Sequence, residues 1–241
     1  MGADRTGHST MRILLVGHGK MGRLVESLAP QYGGQVIGVI DPTSSSHGGA
    51  ADDPRWTGSA DVAIDFTEPA AVSTNVPALA KHGINIVLGT TGWAKHDAEL
   101  RQAVEAAGVG IVAAPNFSTG VVLFEAAVKF AAGRLAAHTE YGAWIHEAHH
   151  NQKKDAPSGT ALFLKKAMEA GGYDRPIDVS ATRAGYIPGT HTIGFDGPSD
   201  TITLTHTARD RGGFARGALV AAQWVAGKRG WFNMHDVLGL R

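Results

Sequence analysis

Arg12-Ile13-Leu14-Leu15-Val16-Gly17-His18-Gly19-Lys20-Met21-Gly22 decides the fold. Ile13 to Val16 is a short apolar run, as expected of a strand buried on both faces in a parallel sheet. It runs straight into Gly-x-Gly-x-x-Gly, and the continuation Arg23-Leu24-Val25-Glu26-Ser27-Leu28 reads as a helix. In that setting the first glycine makes a tight turn, the second lets a pyrophosphate approach the backbone, and the third allows close helix-to-strand packing. Gly17, His18, Gly19, Lys20, Met21 and Gly22 are therefore candidate dinucleotide contacts.

A second apolar run, Val36-Ile37-Gly38-Val39-Ile40, ends in Asp41, about 20 residues beyond the glycines, as the dinucleotide fingerprint requires. A carboxylate there accepts hydrogen bonds from the free ribose of NAD and repels the 2′-phosphate of NADP, so NADH is the first choice of cofactor. Lys20 and Arg23 lie near enough in sequence to help neutralise a phosphate, which keeps NADPH open. The plainer reading is that Asp41 starts a turn before Pro42.

Apolar runs and helical patterns then alternate: Val62 to Phe66, a helix over 70–82, Asn85 to Leu88, a helix over 94–107, and Gly110 to Ala113. Such alternation demands right-handed crossovers and gives an α/β fold with a doubly wound, Rossmann-type parallel sheet, whose ligands lie beyond the carboxyl ends of the strands. Three loops fall there: Phe66-Thr67-Glu68-Pro69, Gly89-Thr90-Thr91-Gly92-Trp93 and Ala114-Pro115-Asn116-Phe117-Ser118. Small and hydroxylated residues at strand ends also serve as ordinary helix caps. Three such loops on one rim point to a nicotinamide channel. The stretch 214–227 reads as a further helix that returns to the nucleotide domain.

A different chemistry is concentrated in Glu147 to Ala161, directly behind a strand-like run over 141–148. Ser158 after Pro157 is a good N-cap, and the helix it opens aims the N–H groups of Gly159 and Thr160 outward, where a carboxylate or phosphate would sit. Lys153 and Lys154 add positive charge. The bland alternative is a capped surface helix after a basic loop. His146, His149 and His150 together suggest zinc, but strand alternation puts His146 and His150 on one face and His149 on the other, so proton chemistry is expected and metal is not. Farther on, Thr201, Thr203, Thr205 and Thr207 alternate strictly with Ile202, Leu204 and His206, leaving a threonine face either to solvent or to another subunit's sheet.

Lysine plus arginine (22) balances aspartate plus glutamate (22), with no run of like charge, so no nucleic acid or acidic membrane surface is implied and the ligand is expected to be small. Cysteine is absent, which removes disulfides and thiolate metal sites and suits a reducing cytosol. No stretch approaches the ~20 apolar residues of a membrane span, and no signal-peptide pattern opens the chain, so a soluble cytoplasmic protein is expected. Residues 1–10 are polar and patternless and read as a tag or loose extension.

Taken in order, Gly89-Thr90-Thr91-Gly92, Ala114-Pro115-Asn116-Phe117-Ser118, Glu147-Ala148-His149-His150 with Lys153, and Asp155-Ala156-Pro157-Ser158-Gly159-Thr160-Ala161 resemble the 4-hydroxy-tetrahydrodipicolinate (dihydrodipicolinate) reductase family. Arg183-Ala184-Gly185 and His191-Thr192 look like that family's second domain. The resemblance, from about Met11 onward, implies NAD(P)H-dependent reduction of a small cyclic dicarboxylate in lysine and diaminopimelate biosynthesis, and a homotetramer. It implies a Rossmann domain over 11–116 with 210–241, and over 117–209 a smaller α+β substrate-binding and oligomerisation domain built on an open mixed sheet. Carried over by position, His149 looks like the catalytic proton donor or acceptor and Lys153 like the second catalytic donor. His150, Ser158, Gly159 and Thr160 look like substrate contacts; the Gly17 to Gly22 loop, Asp41, Gly89 to Thr91 and Ala114 to Phe117 look like cofactor contacts. The sequence departs from many members in its shorter glycine loop, in Pro42 after Asp41, and in a shorter stretch between Pro176 and Arg183. Another amino-acid or semialdehyde dehydrogenase would share the Rossmann half without the clustered histidines and lysines. An NADH-sensing regulator would be expected to carry a DNA-reading helix or basic face, and neither is visible.

Overall fold

The structure, a computed structural model, describes residues 10–44 and 47–240; the extension expected over 1–10 lies, but for Thr10, outside the described residues. In chain order the elements are β1 (Met11–Val16), α1 (Lys20–Leu28), β2 (Gly34–Ile40), β3 (Val62–Asp65), α2 (Pro69–Lys81), β4 (Asn85–Leu88), α3 (Asp97–Ala107), β5 (Gly110–Ala113), α4 (Thr119–Leu135), β6 (Gly142–His149), α5 (Gly159–Ala170), β7 (Ile177–Arg183), β8 (Thr190–Asp196), β9 (Thr201–Thr207), α6 (Gly212–Val225), β10 (Gly230–Phe232) and α7 (Met234–Leu238). They form two compact units, one running to Ser118 and resuming at Phe214, the other spanning Thr119–Gly213.

In the first unit six parallel strands are ordered β10-β5-β4-β3-β1-β2. Ile13 to Val16 and Val62 to Ile64, all buried, become central strands because such apolar runs leave no polar side to satisfy. From β1 the chain moves outward to β2 and returns to β3 on the other side, so the strand order reverses between β1 and β3. A crevice opens at the carboxyl ends of strands at such a reversal, and the loops after Val16 and Asp65 both end there. Helix α2 buries Val72, Val76, Leu79 and Ala80, the i, i+4, i+7, i+8 stripe of an amphipathic helix, in the core with Leu100 and Val104 of α3.

The helix expected over 214–227 is α6, which begins at Gly212. Arg216 and Gln223 on it donate to Gln31 Oε1 (3.0 Å) and to the Tyr32 carbonyl (2.7 Å), tying it to the 3₁₀ turn Ala29–Tyr32 that follows α1. Strand β10, which joins the sheet beside β5, was not foreseen because three residues carry no readable period.

In the second unit β7-β6-β8-β9 form an open mixed sheet, with β6 parallel to β7 and antiparallel to β8. One face carries Ile145, Ile193 and Phe195 against Val128 and Ala132 of α4 and Leu164 and Met168 of α5. A fully buried isoleucine or phenylalanine contributes ~1.5–3 kcal/mol, so this face sets which side of β6 is inward. The other face is polar: Thr190 and Thr192 of β8 hydrogen-bond across to Thr207 (3.2 Å) and Thr205 (3.0 Å) of β9. The alternation read in β9 holds at Leu204 and His206, half-buried between exposed threonines, but not at Ile202, which is exposed near the start of the strand.

Candidate active site

The glycine loop is built as its spacing requires. Gly17 has φ +89°, and a Cβ there would lie 2.5 Å from the Phe66 carbonyl oxygen, while a Cβ on Gly22 would strike the carbonyl of Gly17. Gly19 is the N-cap of α1 and supplies no side-chain cap; the first turn holds no acid, and the space beside Gly19 is open. The N–H groups that start a helix have no partner within it, so this end fits a pyrophosphate.

Asp41 sits beside that loop: its Oδ2 accepts from the His18 N–H (2.8 Å) and its Oδ1 from the Thr43 N–H (2.9 Å) and hydroxyl (2.7 Å). The Thr43 hydroxyl and the two backbone N–H groups hold its carboxyl below the usual carboxylate range, against a smaller effect of burial. The charge next to the loop is therefore fixed in place and negative.

The loops after β3 and β4 are joined by a buried acid. Asp65 accepts from the Thr67 hydroxyl (2.7 Å), the Thr90 hydroxyl (2.8 Å) and Asn75 Nδ2 (3.1 Å), and the Thr90 oxygen accepts in turn from the Thr67 N–H (2.7 Å). Burial raises the Asp65 carboxyl above its ordinary value despite those donors. Thr90 is thus committed to holding the loop, whereas Thr91 is exposed beside it. A cavity of about 380 Å³ opens next to Thr91, lined also by Gly92, Trp93, Ala114, Pro115 and Trp231. Gly89 lies against the Phe66 ring. Asn116 is buried and accepts from the Ser118 N–H (2.9 Å), and Phe117 is packed edge-on to Phe66 at 6.3 Å, so these two shape the loop from inside.

In the second unit the anion turn and the histidine come together at the end of β6. The Ser158 hydroxyl accepts from the Ala161 N–H (3.2 Å), capping α5 as expected. Ser158 itself is 1% exposed, so the outward groups of the turn are Gly159 and Thr160. The Gly159 N–H faces the Asp155 carboxylate, whose Oδ1 also pairs with Lys153 Nζ at 2.8 Å, and Lys153 first, then backbone N–H groups, hold that carboxyl below its ordinary value. Lys153 N–H donates to the His150 carbonyl (3.1 Å), folding the loop back on the strand end, and His150 is half-buried just past β6.

His149 is 8% exposed and points inward, opposite to His146. Strand pairing sets its company: Arg183 of β7 lies directly across from His149, and His191 of β8 directly across from Glu147. Glu147, two residues before His149 and so on the same face, is fully buried. It takes Arg183 Nη2 on Oε1 (2.6 Å), Arg183 Nη1 on Oε2 (3.0 Å), the Ser158 N–H on Oε1 (3.1 Å), and His149 Nδ1 on Oε2. Burial pushes the Glu147 carboxyl up, but these donors together outweigh it and hold the group ionised. Burial lowers the pKa of His149, partly offset by Glu147, and lowers that of His191 to about 4. The His149 and His191 rings meet edge-on at 5.1 Å, and His191 Nε2 lies 3.1 Å from Ser158 Oγ.

Glu147, His149 and His191 bring donor atoms within 4.8 Å of one another, a different trio from the histidines considered for zinc in the sequence. Both Glu147 oxygens are already filled by a guanidinium fork and an N–H, so a cation would have to displace Arg183; the cluster reads as a hydrogen-bonded relay. Glu147, Arg183 and His191 were not assigned roles from sequence. The i, i+2 spacing of Glu147 and His149 was the available signal for the first, while the other two needed the strand register.

Family models for dihydrodipicolinate reductase match both parts of the chain, the N-terminal model over residues 11–117 and the C-terminal model over 120–238. The chain belongs to the dihydrodipicolinate reductase family. A 4-hydroxy-tetrahydrodipicolinate reductase from Christiangramia forsetii is 36% identical over 95% of this chain and 98% of its own length. One from Methanocorpusculum labreanum is 44% identical over 75% of this chain and 76% of its own. The solved structure of a dipicolinate-bound dihydrodipicolinate reductase from Paenisporosarcina sp. TG-14 shares the fold, with TM-score 0.82 and 22% identity over 94% of this chain and 98% of that one. The reductase family thus accounts for the Rossmann-type unit and the mixed-sheet unit alike.

Proposed function

We propose that this chain reduces 4-hydroxy-tetrahydrodipicolinate to tetrahydrodipicolinate with a reduced nicotinamide, a step of lysine and diaminopimelate biosynthesis. The observation that carries the reading is the meeting of His149, Lys153 and the N–H groups of Gly159 and Thr160 at one end of β6, in a member of this reductase family. The net change adds a hydride and a proton to the substrate and releases its hydroxyl as water. When bound, the cofactor supplies the hydride.

Gly159 and Thr160, backed by the capped Ser158, hold one substrate carboxylate at the positive end of α5. The turn already receives a carboxylate, that of Asp155. His150 contacts the substrate's carboxylates as well. Lys153 Nζ meets the negative charge that spreads to the ring nitrogen of the conjugated imine, and His149 carries a proton at Nε2. Such groups, oriented before reaction, avoid reorganisation as the charge develops.

For the cofactor, the Gly17 to Gly22 loop takes the pyrophosphate and Asp41 the adenosine ribose, with Gly89 to Thr91 and Ala114 to Phe117 forming the nicotinamide rim. The anchored Asp41 carboxylate favours NADH over NADPH. A cytoplasmic homotetramer paired through the threonine-bearing face of the mixed sheet suits the family resemblance. Among the described residues no helix is long and apolar enough to cross a membrane. Reduced-nicotinamide absorbance is followed as freshly generated 4-hydroxy-tetrahydrodipicolinate is added, with NADH and with NADPH. Oxidation of NADH with formation of tetrahydrodipicolinate supports the reading; no oxidation of either cofactor overturns it.

A further inference from the structure

A histidine that carries a proton must have one ring nitrogen held and the other available, and the surroundings of His149 specify which. Glu147 is acceptor-only while ionised, and Arg183 grips both its oxygens in a planar fork, at 2.6 and 3.0 Å. Its hydrogen bond to His149 Nδ1 therefore requires Nδ1–H, so the neutral ring keeps its lone pair at Nε2. The guanidinium is itself fixed, donating also to the carbonyls of Asp155 (2.6 Å) and Thr182 (2.8 Å), and the Ser158 N–H closes the remaining side of the carboxylate at 3.1 Å. On the far side, Gly189 leaves Nε2 clear: a Cβ there would stand 3.0 Å from that nitrogen, on a backbone with φ +147°.

We infer that Glu147 and Arg183 are positioning residues for the reductase step: the pair holds His149 as the Nδ1–H tautomer, leaving Nε2 as its proton-carrying atom. This deepens the proposed function and rests on its assignment of His149 to proton transfer. Glu147 is fully buried, and the Arg183 Nη1 and Nη2 groups are spent on it and on two carbonyls, so both act through the imidazole, as the buried aspartate of a serine-protease triad acts through its histidine. The same carboxylate stabilises the imidazolium when Nε2 gains a proton. The charged and titratable groups facing the ring are Glu147 on its own strand, Arg183 on β7, His191 on β8 and Lys153 on the following loop. Of these only Glu147 raises the affinity of the ring for a proton.

The test compares Glu147→Gln, Arg183→Lys and His149→Asn with the unaltered protein, each checked for its fold by circular dichroism. Glu147→Gln keeps the volume and loses the fixed charge. Its kcat should fall by ~10²–10⁴-fold with KM for either substrate changed by less than about threefold, the range for general acid–base catalysis and for a histidine that loses its orienting acid. The pH limb set by His149 should move to lower pH. Arg183→Lys keeps the charge and loses the fork, and should fall between Glu147→Gln and the unaltered enzyme. If Glu147→Gln does not fold, nitrogen-15 spectra of the imidazoles in the unaltered protein decide: Nδ1–H at His149 supports the inference and Nε2–H overturns it. Loss of activity in His149→Asn with none in Glu147→Gln refutes the positioning role alone. Full activity in His149→Asn refutes instead the assignment on which it rests.

Discussion

Lys153 Nζ stands 2.8 Å from Asp155 Oδ1, and the N–H of Gly159 faces that same carboxylate. The chain thus holds an acid of its own at the turn that the proposed substrate must use. Side-chain exposures of 24% and 56% leave this ion pair open to water, so it contributes only ~0–1 kcal/mol to stability. Lys153→Ala should therefore leave the melting temperature nearly unchanged while lowering kcat by ~10²–10⁴-fold, the usual loss for a general acid or charge-stabilising donor. Cofactor affinity should hold, and the Asp155 carboxyl should rise toward its ordinary value. Steady-state kinetics and a carboxyl titration by NMR check both; unchanged kcat removes Lys153 from the mechanism.

Asp41 is anchored by the His18 N–H at 2.8 Å and by Thr43, so its charge cannot swing away from a 2′-phosphate. Asp41→Ala should lower kcat/KM for NADH and raise it for NADPH, moving their ratio by on the order of tenfold or more as a repelling, hydrogen-bonding carboxylate is lost. A ratio unaffected by the substitution would mean that selectivity lies elsewhere in the loop.

Thr90 carries little of its value at the surface, because its hydroxyl donates to the fully buried Asp65 (2.8 Å) and accepts from the Thr67 N–H (2.7 Å). Thr90→Val leaves both partners short of a bond and should destabilise the protein by about 1–3 kcal/mol. Thr91→Val, at the exposed neighbour, should cost much less. Urea unfolding of the two variants side by side measures the difference, and equal losses would contradict the buried network.

His191 titrates at about 4, against 6.5 when unburied. Between those values the unfolded chain binds more protons than the folded one, so the stabilisation from neutral His191 is complete above pH 6.5 and is lost as the pH falls toward 4. The loss is on the order of 3 kcal/mol. His191→Gln should flatten the fall in urea midpoint across that window. A variant that loses stability as steeply as the parent would place the responsible group elsewhere, with His149, also lowered by burial, next in line.

Much of this was legible in the chain. The run Ile13 to Val16 with its glycines specifies strand, turn and helix locally, and Ser158 specifies the start of α5; each needs only neighbours in sequence. That His149 faces away from His146 followed from strand alternation, but which face is inward is set by packing on α4 and α5. What escaped depends on pairing over distance. Arg183 and His191 reach Glu147 only because β7 runs parallel and β8 antiparallel to β6 in one register, and no local pattern fixes that register. The same holds for Asp65, whose partners Thr67, Asn75 and Thr90 are spread over three elements. Strand β10 is held by β5 rather than by any period of its own.

In the proposed reaction the start of α5 takes a carboxylate of a small cyclic dicarboxylate beside His149 and Lys153. Titrating dipicolinate into isotopically labelled protein, with amide and imidazole resonances observed, tests it most directly. The largest shifts should fall on the N–H groups of Gly159 and Thr160 and on the His149 ring, with binding much weaker in Lys153→Ala. Saturable binding whose shifts spare those residues, or no binding at all, would contradict it.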